Sequence, residues 1–268
     1  MDNRDLQDIG LDIDTPNVAR VYDYYLGGAC NLESDRRFAS EILASFPEAR
    51  DFALHNRRYQ HRAVRYVSQL GVRQFLDLGS GIPTVGPTHE IARGINPDAR
   101  VAYVDIESVA IQHSKLLLDG DEHAAILQAD LREPETVLEA PEIRSVLDYS
   151  QPVAVMILAM LHFLSDTEDP AAIIARYLDA LAPGSYLIVS HATTEGPVGD
   201  RVAAAAEKYA ETTLPGHMRS REQFAAMLRP VEIIEPGIVW TPQWRPEAPE
   251  QAVNPERSVA YAAVGVKR

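Results

Sequence analysis

A single cysteine, Cys30, is all the thiol chemistry this chain of 268 residues carries. One thiol excludes an internal disulfide framework and a thiolate zinc cluster, and it fits a reducing cytoplasm. No apolar run reaches the roughly 18 residues of a membrane span. The opening Met1-Asp2-Asn3-Arg4-Asp5 lacks the apolar stretch of a secretory signal, so a cytoplasmic protein without a membrane partner is expected. Positive charge is scarce as well. Twenty-five Lys and Arg stand against 39 Asp and Glu, a formal charge of −14, which argues against nucleic acid as the main partner. The local exception is Arg57, Arg58, His61, Arg62 and Arg65 on one helix-compatible stretch. That cluster reads as a solvated, salt-bridged face, with an RNA contact as the alternative. Metal-ligand spacing is missing: His55, His89, His113, His123 and His217 form no His-x-x-x-His pair, and no metal is expected.

What is present is a core-forming composition, 46% hydrophobic, in a length suited to one large α/β domain or a domain with a cap. Residues 1 to 71 read as mainly helical. Ser34 is expected to N-cap a helix carrying Phe38, Ile42 and Leu43. Pro47 suits the first turn of a longer helix that Gly71 would end. From residue 72 the pattern changes to short apolar runs: 72–78, 101–104, 124–129, 152–158 and 185–190. Helix-compatible stretches at 109–118 and 171–181 lie between them. Continuous apolar strands alternating with helices require a mostly parallel, doubly wound sheet covered on both faces. Further on, 201–212 is alanine-rich and helical, and Ser220-Arg221-Glu222-Gln223 is a capping-box pattern. Runs at 231–234, 238–241 and 259–266, joined by a proline-rich stretch at 242–255, suggest an antiparallel hairpin at the sheet edge. The expected division is a helical cap over 1–71 and a cofactor-binding α/β domain over 72–268.

In such a sheet ligands sit beyond the carboxyl ends of the strands. The first strand ends in Asp77-Leu78-Gly79-Ser80-Gly81, where glycines permit a tight turn and close backbone approach. A dinucleotide fingerprint would place a third glycine where Thr84 stands. A plain tight turn is the bland reading of Gly-x-Gly. Asp105, at the end of the second strand, can accept hydrogen bonds from ribose hydroxyls, or simply N-cap the next helix. Asp130, followed by Leu131 at the end of the third strand, can accept from an adenine amine.

The segments Phe75 to Gly81, Tyr103-Val104-Asp105, Ala129-Asp130-Leu131 and Leu181 to Tyr186 resemble the ordered motifs of Rossmann-like S-adenosylmethionine-dependent methyltransferases. Ala19-Arg20-Val21-Tyr22-Asp23-Tyr24-Tyr25-Leu26-Gly27-Gly28, with Asn31, Asp35 and Asn56-Arg57, resembles the N-terminal signature of an actinobacterial S-adenosyl methyltransferase family first catalogued as a domain of unknown function. Leu161 to Leu164 and Ser190 to Thr193 resemble it too. Cys30 and Tyr25 depart from that family's usual residues. The resemblance implies a seven-stranded sheet, S-adenosylmethionine as cofactor, and cofactor contacts from Gly28, Asn56, Ile106, Leu131 and Ala159 in addition to the motif residues. Aromatic faces at Tyr22, Tyr24 or Tyr25 suit the sulfonium cation, and plain packing is their bland alternative. Arg20 suits the methionine carboxylate. His162, after the fourth strand, is either a general base or a histidine bonded in the sheet rim, with His191 a second candidate.

The expected function is methyl transfer to a small-molecule acceptor, its oligomeric state open. A regulator that binds the cofactor without transferring methyl groups is the alternative from another class, separable by a methyl-transfer screen. A nicotinamide-dependent oxidoreductase shares the glycine turn but would require the third glycine.

Overall fold

The computed structural model describes residues 12–83, 86–209, 212 and 214–268. The acidic N-terminus, the first eleven residues of the expected cap, residues 210 and 211 of the expected 201–212 helix, and Thr84 lie outside them. Three helices lead the chain, α1 (Val18–Tyr25), α2 (Glu33–Ser45) and α3 (Glu48–Gln69). Strands and helices then alternate: β1 (Gln74–Leu78), α4 (Thr88–Arg93), β2 (Arg100–Asp105), α5 (Ser108–Leu117), β3 (Ala124–Gln128), α6 (Pro134–Glu139), α7 (Pro141–Val146) and β4 (Ala154–Ile157). After these come α8 (Pro170–Asp179), β5 (Tyr186–Ala192), α9 (Gly199–Tyr209) and α10 (Arg221–Met227). The chain closes with β6 (Glu232–Ile233), β7 (Val239–Trp240) and β8 (Ala260–Val266).

The sheet runs β3-β2-β1-β4-β5-β8-β6. Strands β1 to β5 are mutually parallel and β8 is antiparallel to β5. Eight strands fill the seven expected places. Strand β6 pairs with Gly265 and Val266, while β7 pairs with Tyr261 and Ala262 on the same strand. Pro236 between them has no N–H to give a ladder, and the edge breaks there. Strand order reverses around β1, which opens a crevice at its carboxyl end.

Side-chain alternation along β1 sends Phe75 to one face and Leu76 and Leu78 to the other. One face packs on Ile173, Ile174, Tyr177 and Phe224, and the other on Tyr59, Ala63, Val64 and Val67 of α3. The N-terminal half of α3 turns elsewhere. Its Ala49 and Ala53 join Val21, Phe38 and Ile42 in a separate cluster with Val202 and Ala205 of α9. The cap is thus closed by a helix that follows β5, and α3 belongs to both packing layers.

Two local expectations differ from the structure. Ser34 is not the N-cap of α2: its hydroxyl donates to the Ile13 carbonyl at 2.7 Å, and Asp35 accepts the Leu32 N–H instead, also at 2.7 Å. The basic face of α3 is not uniformly solvated. Arg58 is exposed and Arg65 pairs with Glu247 at the surface, but Arg62 is buried. Its Nε donates to the Trp244 carbonyl at 2.8 Å and its Nη2 to the Thr241 carbonyl at 2.7 Å. Proline-rich residues 242–255 carry no helix of their own longer than a turn, so this guanidinium anchors their start to α3. Gly71, with φ +96°, follows α3 as expected of a terminating glycine.

Because hydrogen bonds to a charged group contribute about 1.5–3 kcal/mol, Arg62→Met is expected to lower unfolding free energy by about 2–4 kcal/mol in urea titrations. Arg65→Met, which breaks an exposed pair, should cost under about 1 kcal/mol. Similar losses for the two would contradict this division of the basic face.

Candidate functional site

Beyond Leu78 the chain turns sharply, with Gly79 at φ +69° and Gly81 at φ +62°, a region in which L side chains are strained. The N–H groups of Gly79 and Ser80 both donate to the Val104 carbonyl, at 2.8 and 3.1 Å, folding the turn over the end of β2. Space also demands glycine at 79, where a Cβ would stand 2.3 Å from Met160 Cγ. Gly81 N–H donates to Asp105 Oδ2 at 2.7 Å and Glu107 N–H to Oδ1 at 2.9 Å. Asp105 is therefore no N-cap for α5, whose cap position is Glu107. Its carboxylate is held by two backbone donors, leaving about two of its four lone-pair sites for a ligand. Asp77 accepts from Thr88 Oγ1 at 2.7 Å, and Thr88 in turn accepts from Gln60 Nε2 at 2.9 Å. Burial pushes both carboxyls, Asp77 and Asp105, up to about 6.

Over this turn lies one cavity, floored by the carboxyl ends of β1, β2 and β4 and roofed by α1, α2, α3 and α9. Of the residues expected at the site, Tyr22, Tyr25, Asn56, Asp77, Gly79, Ser80, Gly81, Asp105, Ile106, Ala159 and His162 all line it. A smaller pocket adjoins on the β3 side, sharing Gly79, Asp105 and Ile106 and adding Asp130 and Leu131. Asp130 is already occupied. Arg132 Nε lies 2.8 and 2.9 Å from its two oxygens, and Nη2 is 2.5 Å from Oδ2. An adenine amine would reach Asp130 only in competition with Arg132.

Arg20 and Gly28 do not line the cavity. The Arg20 guanidinium is buried, bonded to Asp35 at 2.6 Å and to the carbonyls of Asp12 and Thr15 at 3.1 and 2.9 Å, so each of its nitrogens is engaged with the protein away from the cavity. At Gly28 a Cβ would meet Asp23 Oδ1 at 2.0 Å. Packing against Asp23 accounts for that glycine. Tyr24 also stays outside the cavity lining.

Arg57 is the arginine on the cavity wall among the described residues. It lines the cavity near Asp77, with Nη1 donating to Gln60 Oε1 at 2.8 Å and its guanidinium 5.9 Å from the Tyr22 ring centre. Sequence reasoning grouped it with the solvated basic face, although it stands beside Asn56 in the family-like signature. Met160 carried no sequence signal, Phe163 stood only within the family-like Leu161 to Leu164, and Phe52 read only as an apolar position of the helix after Pro47. Periodicity cannot tell a cavity wall from a core face.

Asn56 joins cap to sheet. Its Nδ2 donates to Tyr22 Oη at 3.0 Å, while its Oδ1 accepts from Ser190 Oγ at 2.6 Å. Ser190 Oγ accepts the Ala159 N–H at 2.9 Å, and Ala159 sits at φ +54°, unusual for a residue with a side chain. His162 is buried at the cavity wall. Among described residues its one side-chain hydrogen bond is from the Ala192 N–H to Nδ1, at a long 3.5 Å. Burial, with His191 and Arg219 nearby, pushes its pKa well below the usual histidine range. His191 lies outside the cavity lining. Its Nδ1 donates to the Ala192 carbonyl at 2.6 Å and its Nε2 accepts from Arg219 at 3.1 Å. Both ring nitrogens are engaged and burial lowers its pKa to about 3, so its place is structural.

A glycine turn, an acid after β2 and a cavity at the switch point of a 3-2-1-4-5 sheet with antiparallel closing strands define the Rossmann-like methyltransferase class. The comparisons agree. Residues 5–268 match the S-adenosyl methyltransferase family, and the chain belongs to it. It is similar to a protein from Thermobifida fusca provisionally classed as a methyltransferase, with 39% identity over 97% of each chain and a TM-score of 0.90. It is also similar to a DUF574-family protein from Streptomyces avermitilis, with 34% identity, 96% of this chain and 99% of that one covered, and a TM-score of 0.91. None of the curated proteins matches the sequence.

The two raised carboxyls make a pH prediction. An unfolded aspartate titrates at 3.8 and these near 6, so in that window the native state binds more protons and their contribution weakens as pH rises through it. Between about pH 4 and pH 7, Asp105→Asn should gain on the order of 2–3 kcal/mol of stability relative to the parent. A pH-independent difference, or a carboxyl carbon NMR midpoint near 4, would show that burial does not raise Asp105.

Proposed function

We propose that this protein binds S-adenosylmethionine at the glycine turn and transfers its methyl group to a small molecule lodged under the cap. The observation that carries this reading is a pair of buried polar atoms with no hydrogen-bond partner among the described residues, Ser80 Oγ and Arg57 Nε, on residues that line the cavity with Asp105. Buried polar groups are almost always hydrogen-bonded, and these two suit a ligand with its own donors and acceptors. When bound, the cofactor supplies an electrophilic methyl on a sulfonium, so the acceptor's lone pair makes the new bond as the carbon–sulfur pair returns to sulfur.

Arg57 would hold the methionine carboxylate and the free lone pairs of Asp105 would accept from the ribose hydroxyls. Ile106, apolar and 44% exposed, offers the adenine a flat neighbour, with Leu131 and Asp130 beyond it. The turn Asp77 to Gly81 brings backbone close to the ligand, and the faces of Tyr22 and Tyr25 suit a cation. Asn56 and Ala159 fix the wall between cofactor and cap. His162 is the group proposed to take a proton from an acceptor that must lose one. It is neutral at pH 7, and taking the proton at Nε2 requires the tautomer with hydrogen on Nδ1, which gives up the long 3.5 Å contact from the Ala192 N–H. The remaining contribution is positioning, which for an in-line displacement is a large part of catalysis.

By calorimetry, S-adenosylmethionine should bind with a micromolar Kd. Asp105→Ala and Arg57→Met should each weaken binding more than tenfold, while His162→Ala should stay within about threefold of the parent while slowing transfer. Absence of heat with S-adenosylmethionine alongside clear binding of NAD would overturn the reading.

A further inference from the structure

The cavity is divided by polarity. Its charged lining residues, Arg57, Asp77, Asp105 and Glu107, come from the glycine turn, the end of β2 and the face of α3 above them. The cap end is walled by Ile42, Phe46, Phe52, Val202, Ala206 and Tyr209, and no charged side chain lines it among the described residues. Rings follow one another along this end. Phe52 lies 6.1 Å from His162 at 76°, His162 lies 4.3 Å from Phe163, and Phe163 lies 6.5 Å from Tyr209. The Tyr209 hydroxyl is 3.3 Å from that of Tyr25, so one donates to the other, leaving a single neutral O–H donor and no charge for an ionic ligand.

We infer that the methyl acceptor is an uncharged aromatic molecule, a phenol or a comparable hydroxylated ring, seated between Phe52, Phe163 and Tyr209 with its reacting oxygen toward His162. This deepens the methyltransferase reading and rests on it. A carboxylate or ammonium placed at the cap end would lose its hydration without gaining a counter-ion, whereas a flat ring gains edge-to-face contacts with the walls. The chemistry balances for a phenol. Oxygen gains the methyl, sulfur keeps the electron pair of the broken bond, and the phenolic proton passes to the His162 ring and then to water. Positive charge lost at sulfur is regained on the imidazole, leaving the cavity's net charge unchanged during the step.

The test uses three probes with one apolar tail: 4-hexylphenol, 4-hexylbenzoate and 4-hexylcyclohexanol. Each is titrated into the protein with and without saturating S-adenosylhomocysteine, whose own binding is measured first. The expected result is micromolar binding of 4-hexylphenol, at least tenfold weaker binding of the benzoate, and about two- to tenfold weaker binding of the cyclohexanol. Ala206→Leu, which adds bulk at a partly exposed wall position, should weaken 4-hexylphenol at least tenfold and leave S-adenosylhomocysteine binding unchanged, a control that also reports folding. Benzoate binding as tight as the phenol, or no phenol binding in either state, would overturn the inference. Cyclohexanol binding equal to the phenol would overturn its aromatic part. Failure of S-adenosylhomocysteine to bind, with the phenol still bound, would instead count against the cofactor reading alone.

Discussion

The hydrogen bonds that fold the glycine turn back onto the end of β2 set the geometry of everything around the site. Two N–H groups converge on the Val104 carbonyl and a third meets the Asp105 carboxylate. That convergence is available only if residues 79 and 81 take positive φ, as they do, and only if residue 79 carries no side chain to strike Met160. The same contacts aim Asp105 into the crevice rather than along α5. A turn that looks like a mere loop between strand and helix is thus the part that orients the acid, and the acid in turn pins the turn. Each holds the other in place without a ligand, which is the preorganisation a binding site needs to avoid spending affinity on ordering itself.

Helix α3 extends that order to the roof. One half of it is core for the sheet and the other half is core for the cap, so the cap cannot shift as a separate body without disturbing the sheet. Asn56, near the change-over, carries the coupling in hydrogen bonds: Tyr22 on α1 to Asn56, Asn56 to Ser190 on β5, and Ser190 to the backbone of Ala159. Ala159 keeps a left-handed backbone, and such conformations persist where surroundings over-determine them. The floor after β4 and the roof at α1 are therefore one connected arrangement.

Much of this was legible in the chain, and the part that was not has physical reasons. Apolar runs ending at Leu78, Val104 and Leu158 announce parallel strands because a strand buried on both faces has no polar positions to alternate. Asp77 is the penultimate residue of the first run and Asp105 directly follows the second, so their location at strand ends came with the strand assignment. Arginines are harder. Arg20, Arg57 and Arg62 look alike in sequence, yet one is locked to Asp35, one faces the cavity and one staples the proline-rich segment to α3. A guanidinium on a long flexible stem can be solvated, buried or ligand-facing from the same helical position, and only the packing of neighbours decides. The cap's closing helix α9 was equally hidden as a partner of α2, since its alanine-rich pattern marks a helix but not the surface it covers.

The contrast between Arg20 and Arg57 also explains how an acidic protein keeps a cation at its site. Arg20 is ion-paired: its carboxylate partner Asp35 simultaneously caps α2 and binds the Asn17 N–H at 2.9 Å, so the ion pair is a joint between α1 and α2. Breaking it would strand a buried charge, which is far costlier than the pair is stabilising. Among the described residues Arg57 has a neutral hydrogen-bond partner in Gln60 and no partner for its Nε, with the buried Asp77 near enough to feel its charge. The charge of one arginine is consumed by architecture and that of the other is held in reserve. In a chain with a formal charge of −14, Arg57 is a cation on the cavity wall beside Asp77, Asp105 and Glu107, which also line it. The proposed function rests on this cation in assigning an anionic group to the glycine turn, and it leaves the cap end, beyond Phe52 and His162, to shape and apolar contact.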